Sequence, residues 1–386
     1  MSVENTLRTE RESREAVVIR FAGDSGDGMQ VTGSRFTVET ALARNDLATF
    51  PDFPAEIRAP AGTTFGVSAF QIHFGSIDVT TAGDELDVLV AMNPAALAVN
   101  WRDLKLGGLI VADSSAFSER NLAKAGFTAN PLAGNTLAPY RLLQFDIAKL
   151  TLEAVKGHGL SNKDALRCRN MWALGLMLWM YGRDRQATIE SLTKKFSKRP
   201  EIARANIAAL NAGHAFGETD EVADSLQAYT IAKADVQPGV YRTVSGTEAV
   251  AWGLIAGARC AGIAKVMLGA YPITPASGLL HILAGLKHHG VITFQAEDEI
   301  AAICAAIGAS YAGALGVTVS SGPGIALKTE ALGLAIATEL PLVVVNSQRA
   351  GPSTGLPTKT EQSDLYQAVY GRNGDAPLAV LAAATP

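Results

Sequence analysis

Short apolar runs that end in glycine or hydroxyl residues recur along the first half of the chain. Four of these runs predict buried strands, because they are rich in apolar and β-branched residues and are followed by turn residues. They are Ala16–Phe21, Ala69–Phe74, Asp87–Met92 and Gly107–Ala112. Helical patterns alternate with these runs. The alternation predicts an α/β fold whose first domain has a mostly parallel sheet with helices on both faces.

The same pattern divides the chain into two blocks. Residues 161–217 follow the first strands and read as helical, so we predict a first domain over residues 1–217. Residues 218–240 are polar and acidic, and we interpret them as an interdomain linker. Residues 241–386 predict a second α/β domain, in which apolar strands run into loops rich in Gly, Pro and hydroxyl residues.

Composition narrows the class of protein. The 386 residues are enough for two or three domains, and 48% hydrophobic residues with 37 glycines suit a buried parallel sheet. The net charge of −4 argues against a nucleic-acid binder. The N-terminus has no apolar signal-peptide region, and the longest apolar run, Met171–Tyr181, is too short to span a bilayer. Three widely spaced cysteines form no metal-binding pair. We expect a cytoplasmic protein with no metal site, membrane segment or nucleic-acid partner.

A glycine loop, Gly23–Gly28 (GDSGDG), follows the first predicted strand. Free N–H groups in such a loop favour phosphate, which leaves a non-catalytic nucleotide-binding regulatory or scaffold protein as one alternative. However, the glycine spacing is not that of a dinucleotide fingerprint, and no P-loop lysine is present. Asp24 and Asp27 would also repel a pyrophosphate. Tight turns and helix–sheet packing are the simpler interpretation of these glycines.

Acidic residues begin an alanine-rich helix in the second block, within Gln295–Gly313. Acids in a first helical turn complement the helix dipole and cap free N–H groups, and this accounts for Glu297 and Asp298. One carboxyl group in a dry pocket can instead share a proton with a bound ring. Glu299 is the candidate for that role.

Two further positions of the second block, Thr274 and Arg349, stand out. Thr274 and Pro275 predict the N-cap and first residue of a helix over Ala276–His289. Arg349 follows the β-branched strand Val343–Val345, and the carboxyl end of a parallel strand faces the usual ligand crevice. A guanidinium there can bind a carboxylate with two parallel hydrogen bonds.

Together these motifs resemble the α-subunit of 2-oxoacid:ferredoxin oxidoreductases. The motifs of the second block are Tyr271–Ser277 (YPITPAS), Gln295–Ala301 (QAEDEIA), Ser320–Gly324 (SSGPG) and Gln348–Gly355 (QRAGPSTG). Three segments of the first block resemble the γ domain that this family often fuses ahead of the α part. They are Gly23–Gly28, Gly62–Gly75 and Ala91–Leu97.

The resemblance implies a role for each matching residue. The second block would be a thiamine-diphosphate pyrimidine-binding domain, with Glu299 as the catalytic carboxylate that activates the cofactor. The implied cofactor-binding residues, besides Glu299, are Tyr271, Pro272, Ile273, Ser321 and Gly322. The implied substrate-binding residues are Thr274, Arg349, Thr354 and Thr358.

The resemblance also implies a reaction and an assembly. The reaction is the oxidative decarboxylation of a 2-oxoacid with CoA, giving acyl-CoA, CO₂ and reduced ferredoxin. We expect 2-oxoglutarate as the substrate because the Ser353–Thr360 segment is rich in hydroxyl residues and because the γ domain is fused ahead of the α part. Pyruvate and a branched 2-oxoacid are the alternatives. A β subunit would hold Mg²⁺, the cofactor's diphosphate and a [4Fe–4S] cluster. This implies an (αβ)₂ assembly that is active only with the β subunit.

Two features depart from the family pattern. Thr247, in a strand predicted to include Ser245–Ala249, stands where the family generally has Asn. The chain stops at Pro386, just after a further strand predicted over Leu378–Ala382 begins. Family α parts usually continue beyond this point, so we expect the second domain to be cut short.

Overall fold

The computed structural model describes residues 11–55, 59–219 and 226–386 of the chain. Its contacts divide the chain into two units, Met1–Arg242 and Thr243–Pro386. Each unit has its own sheet and its own buried apolar clusters. The α/β fold class predicted from the sequence is confirmed.

The first unit contains a six-stranded sheet in the order β3-β4-β2-β5-β6-β7. The strands are β2 (Ala16–Asp24), β3 (Asp46–Asp52), β4 (Val67–Gly75), β5 (Leu86–Ala91), β6 (Leu104–Asp113) and β7 (Arg141–Phe145). Strand β4 is antiparallel to both of its neighbours, whereas β2, β5, β6 and β7 pair in parallel. The sheet is thus mostly parallel, as predicted. The antiparallel strand was not predicted. The described residues between β3 and β4 contain only the short 3-10 turn Thr64–Gly66, whereas a parallel pair needs a longer crossover.

Helices cover both faces of this sheet. They are Met29–Leu42, Pro94–Asn100, Glu119–Lys124, Ile147–Ala154, Asn162–Leu166, Arg169–Met180, Gln186–Lys195 and Pro200–Gly217. Alternate residues of β2 point to opposite faces, so Ile19 joins one apolar cluster and Val18 joins the other. The apolar run predicted as a core or partner-facing helix is buried along nearly its whole length against the helix Pro200–Gly217. Within the described residues, no helix is long and apolar enough to cross a membrane.

Part of the predicted linker belongs to the first unit. Strand β8 (Tyr229–Ile231) pairs in parallel with the short strand β1 (Glu12–Arg14). Leu226 and Ala228 are buried, and the ring of Tyr229 stacks on that of Tyr181 at 5.4 Å between centroids. The prediction of a linker over 218–240 is therefore wrong for residues 226–231, because their apolar side chains join the core. Residues 220–225 of the predicted linker lie outside the described residues.

The second unit contains a four-stranded parallel sheet in the order β10-β9-β11-β12. The strands are β9 (Val266–Ala270), β10 (Val291–Gln295), β11 (Leu315–Ser320) and β12 (Leu342–Asn346). The helices are Gly246–Cys260, Ser277–Ala284, Glu299–Tyr311, Gly322–Leu327, Thr329–Ala337 and Leu365–Tyr370.

Two strands predicted in the second unit are not strands. Ser245 caps the helix Gly246–Cys260 through a capping box with Glu248, so Thr247 lies in a first helical turn. Residues 378–382 form no strand; Leu378 and Leu381 are exposed there.

The alanine-rich helix Glu299–Tyr311 lies directly on this sheet. A Cβ atom at Gly316 of β11 would overlap the carbonyl oxygen of Ala306. Glycine in the strand and alanine in the helix thus permit a close approach of the two backbones. This close packing fixes the position of the first helical residue, Glu299.

Candidate functional site

All four motifs of the second block lie at one edge of its sheet. Strands β9, β10, β11 and β12 are parallel, so their carboxyl ends meet at the same edge. The loops that follow them carry Tyr271, Glu299, Ser321 and Arg349 in turn. Parallel pairing therefore places residues that are distant in sequence on the same side of the unit.

Glu299 is the buried member of the acidic group. Glu299 is only 8% exposed, whereas Glu297 and Asp298 are exposed. Asp298 is the N-cap of the helix, and its Oδ1 accepts a hydrogen bond from the Ala301 N–H at 2.7 Å. The capping role predicted for Asp298 is confirmed. The Glu299 carboxylate, in contrast, has no hydrogen-bond partner in the described part of the chain, although its desolvation would favour one.

A glycine leaves room for this carboxylate. A Cβ atom at Gly324 would overlap the Ser320 hydroxyl and would lie 2.7 Å from Cγ and 2.9 Å from Oε1 of Glu299. The hydroxyl oxygens of Ser320 and Ser321 are fully buried and have no hydrogen-bond partner among the described residues. Buried hydroxyls without a partner are uncommon in folded proteins. The Ser320 hydroxyl and the Glu299 carboxylate meet beside Gly324, and the Ser321 hydroxyl follows in sequence. We call Ser320, Ser321 and Gly324 the polar cradle.

Arg349 and Thr274 lie in direct contact. The Arg349 Nη1 donates a hydrogen bond to the Thr274 carbonyl oxygen at 3.1 Å. Arg349 is only 6% exposed, and its Nε has no partner among the described residues. The structure thus brings together the two residues that the sequence singled out for binding a carboxylate. A buried guanidinium with an unused donor is suited to an anion.

The helix after Thr274 begins later than predicted. It spans Ser277–Ala284, and its N-cap position is Ala276, which makes no side-chain cap. The Thr274 carbonyl accepts from Arg349, while the Ile273 carbonyl accepts from the Ser277 N–H at 3.0 Å. The prediction that Thr274 caps the helix is therefore wrong, because the chain makes a turn before the helix starts.

The loop after Arg349 folds back on itself. Ala350 and Leu356 form an isolated bridge, and the Gly351 N–H donates to the Glu361 carboxylate at 2.8 Å. Thr354 is exposed in this loop, and Thr358 is half-buried. These positions do not test the substrate-binding roles predicted for the two threonines, and both roles stay predictions.

Lys328 and Asp364 are buried beside these motifs, and the sequence reasoning missed both. The Lys328 Nζ donates to the Thr318 hydroxyl at 2.8 Å. Burial lowers the pKa of Lys328 to about 8, against the opposing effect of nearby carboxylates. Asp364 accepts hydrogen bonds from the Asn346 amide at 3.1 Å and the Ser363 hydroxyl at 3.2 Å. A single lysine in the mostly apolar stretch 322–337 was the available signal for Lys328.

The glycine loop of the first unit is filled by its own carboxylates. The Asp27 carboxylate accepts from the Asp24 N–H at 2.9 Å, and Asp24 in turn accepts from the Gly62 N–H at 2.8 Å. Arg169 bridges Asp27 and the fully buried Asp113. Burial raises the pKa of Asp24 and that of Asp113. The Asp27 carboxylate thus takes the Asp24 N–H of the loop, and both carboxylates lie where a phosphate would bind, so the loop geometry supports the tight-turn interpretation.

Comparisons with known proteins agree with this architecture. Residues 18–216 match a family model described as pyruvate ferredoxin/flavodoxin oxidoreductase. Residues 248–386 match a second model, described as the thiamine-diphosphate-binding part of pyruvate flavodoxin/ferredoxin oxidoreductase. Fold and site thus define an α/β protein with a thiamine-diphosphate-binding domain. The chain belongs to the pyruvate ferredoxin/flavodoxin oxidoreductase family, and the resemblance inferred from the motifs is confirmed.

Individual relatives extend across nearly the whole chain. The 2-oxoglutarate oxidoreductase subunit KorA of Mycobacterium tuberculosis is 57% identical over 98% of this chain, which covers 57% of that protein. The alpha subunit of 2-oxoacid:ferredoxin oxidoreductase 1 of Aeropyrum pernix is 29% identical over 95% of this chain, which covers 60% of that protein. The chain therefore spans less than two thirds of these relatives.

One solved structure is similar in both sequence and fold. It is the 2-oxoglutarate:ferredoxin oxidoreductase from Magnetococcus marinus with 2-oxoglutarate, coenzyme A and succinyl-CoA bound. It has 32% sequence identity and a TM-score of 0.74, and the match covers 94% of this chain and 57% of that one.

Proposed function

We propose that this chain is the fused γ–α part of a 2-oxoglutarate:ferredoxin oxidoreductase. The reaction converts 2-oxoglutarate, CoA and oxidised ferredoxin into succinyl-CoA, CO₂ and reduced ferredoxin. The observation that carries the proposal is the buried, unpaired Glu299 carboxylate in the cradle of Ser320, Ser321 and Gly324. In this assignment residues 1–217 and 241–386 correspond to the γ and pyrimidine-binding domains, and residues 226–231 complete the first of them.

Glu299 is the proposed catalytic residue. When bound, thiamine diphosphate supplies the electron sink that decarboxylation of a 2-oxoacid requires. The Glu299 carboxyl group would share a proton with N1′ of the aminopyrimidine, because it is desolvated and has no competing hydrogen-bond partner among the described residues. Ser321 and Gly322 would hold the ring beside it, and Tyr271, Pro272 and Ile273, at the end of β9, would flank the cofactor.

Arg349 and Thr274 are proposed to bind the carboxylate next to the reacting carbonyl. The contact between Arg349 and the Thr274 carbonyl holds the guanidinium at the carboxyl edge of the sheet. Its remaining donors can then pair with the substrate. Thr354 and Thr358 are proposed to meet the second carboxylate of 2-oxoglutarate. The names of the Mycobacterium tuberculosis and Magnetococcus marinus relatives support that substrate over pyruvate.

The remaining components are proposed to come from other chains. A β subunit would hold Mg²⁺, the cofactor's diphosphate and a [4Fe–4S] cluster, and ferredoxin would accept the electrons. The described residues contain no group of three or more His, Cys, Asp or Glu placed to hold a metal ion. We propose an (αβ)₂ assembly in the cytoplasm.

The experiment is purification of the native complex followed by analysis and assay. We expect thiamine and iron to co-purify with this chain, and CoA-dependent reduction of a viologen dye to be faster with 2-oxoglutarate than with pyruvate or a branched 2-oxoacid. Preference for another 2-oxoacid would correct the substrate and keep the enzyme class. A colourless lone chain that binds nucleotide and no thiamine would refute the proposal in favour of a regulatory protein.

A further inference from the structure

Asn346 carries a buried hydrogen-bond acceptor that the proposed function leaves unexplained. It is the last residue of β12 and is half-buried. Its Oδ1 is closed off from solvent and has no hydrogen-bond partner among the described residues. Such atoms are uncommon in folded proteins, because burial removes the water that would otherwise donate to them. The oxygen is therefore suited to a donor from a bound molecule.

Strand pairing places Asn346 beside the polar cradle. Asn346 pairs in register with Ser320, the last residue of β11. Paired residues of neighbouring parallel strands carry their side chains on the same face of the sheet. The helix Glu299–Tyr311 covers this face, since Val344, two residues before Asn346, packs against the apolar cluster that includes Ile303. Asn346 therefore lies beside Ser320 on the side of the sheet that carries the proposed catalytic carboxyl group.

Asp364 fixes the direction of the Asn346 amide. The Asn346 Nδ2 donates to the Asp364 Oδ2 at 3.1 Å. Asp364 is only 8% exposed, and a Cβ atom at Gly322 would lie 3.1 Å from its Oδ1 and 3.3 Å from its Oδ2. The carboxylate thus sits against the first turn of the helix Gly322–Leu327. A carboxylate accepts hydrogen bonds and donates none, so the amide nitrogen faces Asp364 and Oδ1 is left for another donor.

The donor that Oδ1 needs is not a hydroxyl of the polar cradle. The hydroxyls of Ser320 and Ser321 also have no partner among the described residues, so neither of them donates to Asn346. A bound 2-oxoacid presents oxygen atoms that accept hydrogen bonds, and these cannot satisfy another acceptor. The aminopyrimidine ring of thiamine carries an amino group with N–H donors. The proposed function places this ring beside the same cradle.

We propose that Asn346 is a further cofactor-binding residue: its Oδ1 accepts a hydrogen bond from the amino group of the aminopyrimidine, and Asp364 is the positioning residue that orients it. The inference deepens the proposed function and rests on it. It gives the ring a second polar contact with this chain besides the one proposed for Glu299. Two contacts fix the orientation of a flat ring in its plane, whereas one contact leaves it free to rotate.

The test measures the binding of two cofactors to the purified complex after its own thiamine diphosphate has been removed. One is thiamine diphosphate, and the other is its analogue with an oxo group in place of the amino group. We expect the preference for thiamine diphosphate, as a ratio of dissociation constants, to fall about 2–10-fold in Asn346→Ala, the scale of one neutral hydrogen bond. The control is Asn373→Ala, because Asn373 is an exposed asparagine of the same unit. This control should leave the ratio unchanged.

Asp364→Ala tests the orientation of the amide. We expect the same ratio to fall in Asp364→Ala, and to fall no further when Asp364→Ala is added to Asn346→Ala, because Asp364 acts through Asn346. The double variant also removes the carboxylate that would otherwise lose its donor, so it supplies the ratio if Asn346→Ala does not fold. Additive losses from the two substitutions would overturn the positioning role of Asp364.

A purely structural role of Asn346 predicts a different result. Both dissociation constants would then rise together and their ratio would stay the same. An unchanged ratio in Asn346→Ala or in the double variant would therefore overturn the assignment and leave the proposed function intact. A wild-type complex that binds no thiamine diphosphate would instead refute the proposed function, and the assignment with it.

Discussion

Replacing Gly324 by alanine tests whether the position of Glu299 matters more than its presence. A Cβ atom at this site would overlap the Ser320 hydroxyl and would lie 2.7 Å from Cγ and 2.9 Å from Oε1 of Glu299. Both side chains must move, because the first helical turn and β11 are fixed by the packing of the helix on the sheet. A displacement of about 1 Å in a catalytic group costs roughly 100-fold in rate. We therefore expect kcat of the complex to fall by about that factor.

The same substitution should affect stability much less. Overpacking a buried site costs roughly 1–3 kcal/mol, while alanine in place of glycine within a helix gains roughly 1 kcal/mol. The free energy of unfolding should then fall by roughly 0–2 kcal/mol. Gly333→Ala is the matched control, since Gly333 lies in the next helix and a Cβ atom there meets nothing within 4 Å. That variant should be as stable as the wild type or more so, with unchanged activity.

The assay is CoA- and 2-oxoglutarate-dependent reduction of a viologen dye by the purified complex, with urea unfolding measured on the same preparations. Thiamine content is determined for each variant, so that loss of cofactor is separated from loss of rate. Activity of Gly324→Ala within about threefold of Gly333→Ala would refute the argument that this glycine sets the position of Glu299. If the activity of Gly324→Ala fell only in proportion to its loss of folded protein, the argument would be refuted as well.

Three further substitutions test the assigned roles. Glu299→Gln keeps the shape but cannot share the proton, so acyl-CoA formation should fall by at least ~100-fold with thiamine still bound; near-normal turnover would exclude the catalytic role. Arg349→Ala removes a charge-assisted pair with the substrate and should lower kcat/KM for the 2-oxoacid by about 10–150-fold without loss of thiamine. Loss of cofactor affinity with an unchanged KM would show that Arg349 has a structural role instead. Thr358→Leu should lower the ratio of kcat/KM for 2-oxoglutarate to that for pyruvate; an unchanged ratio removes Thr358 from the specificity pocket.

The sequence predicted the central strands and missed the edge strands of the first sheet. Central strands such as β2 and β6 are buried apolar runs, and the predicted bounds agree with the structure to within a few residues. Strands β3 and β7 are edge strands with exposed and polar positions, and β3 contains Pro51. An edge strand has one partner and one solvated side, so its sequence need not be apolar. Its pairing depends on the neighbouring strand, which local pattern does not encode.

The sequence also located the candidate site without giving its internal contacts. The family resemblance selected Glu299 among the acids that begin the alanine-rich helix. Arg349 was selected because it follows a predicted strand at the end that faces a ligand crevice. The contact of Arg349 with Thr274 joins residues 75 positions apart, and its form depends on where the helix at Ser277 begins. Thr274 was expected to cap that helix, but its carbonyl is used by Arg349 instead. A local capping rule could not anticipate a partner from a distant strand.

Burial decides which member of a local charge group can act, and burial is a property of tertiary packing. Glu297, Asp298 and Glu299 are consecutive acids with the same formal charge, but only Glu299 is buried. Glu299 is buried because its helix packs closely on Gly269 and Gly316 of the sheet and because Gly324 leaves space for its side chain. Lys328, which sequence alone would place at the surface, is likewise only 1% exposed in this unit. The chemistry of the site therefore depends on small residues as much as on charged ones, because the glycines determine which charges are desolvated together.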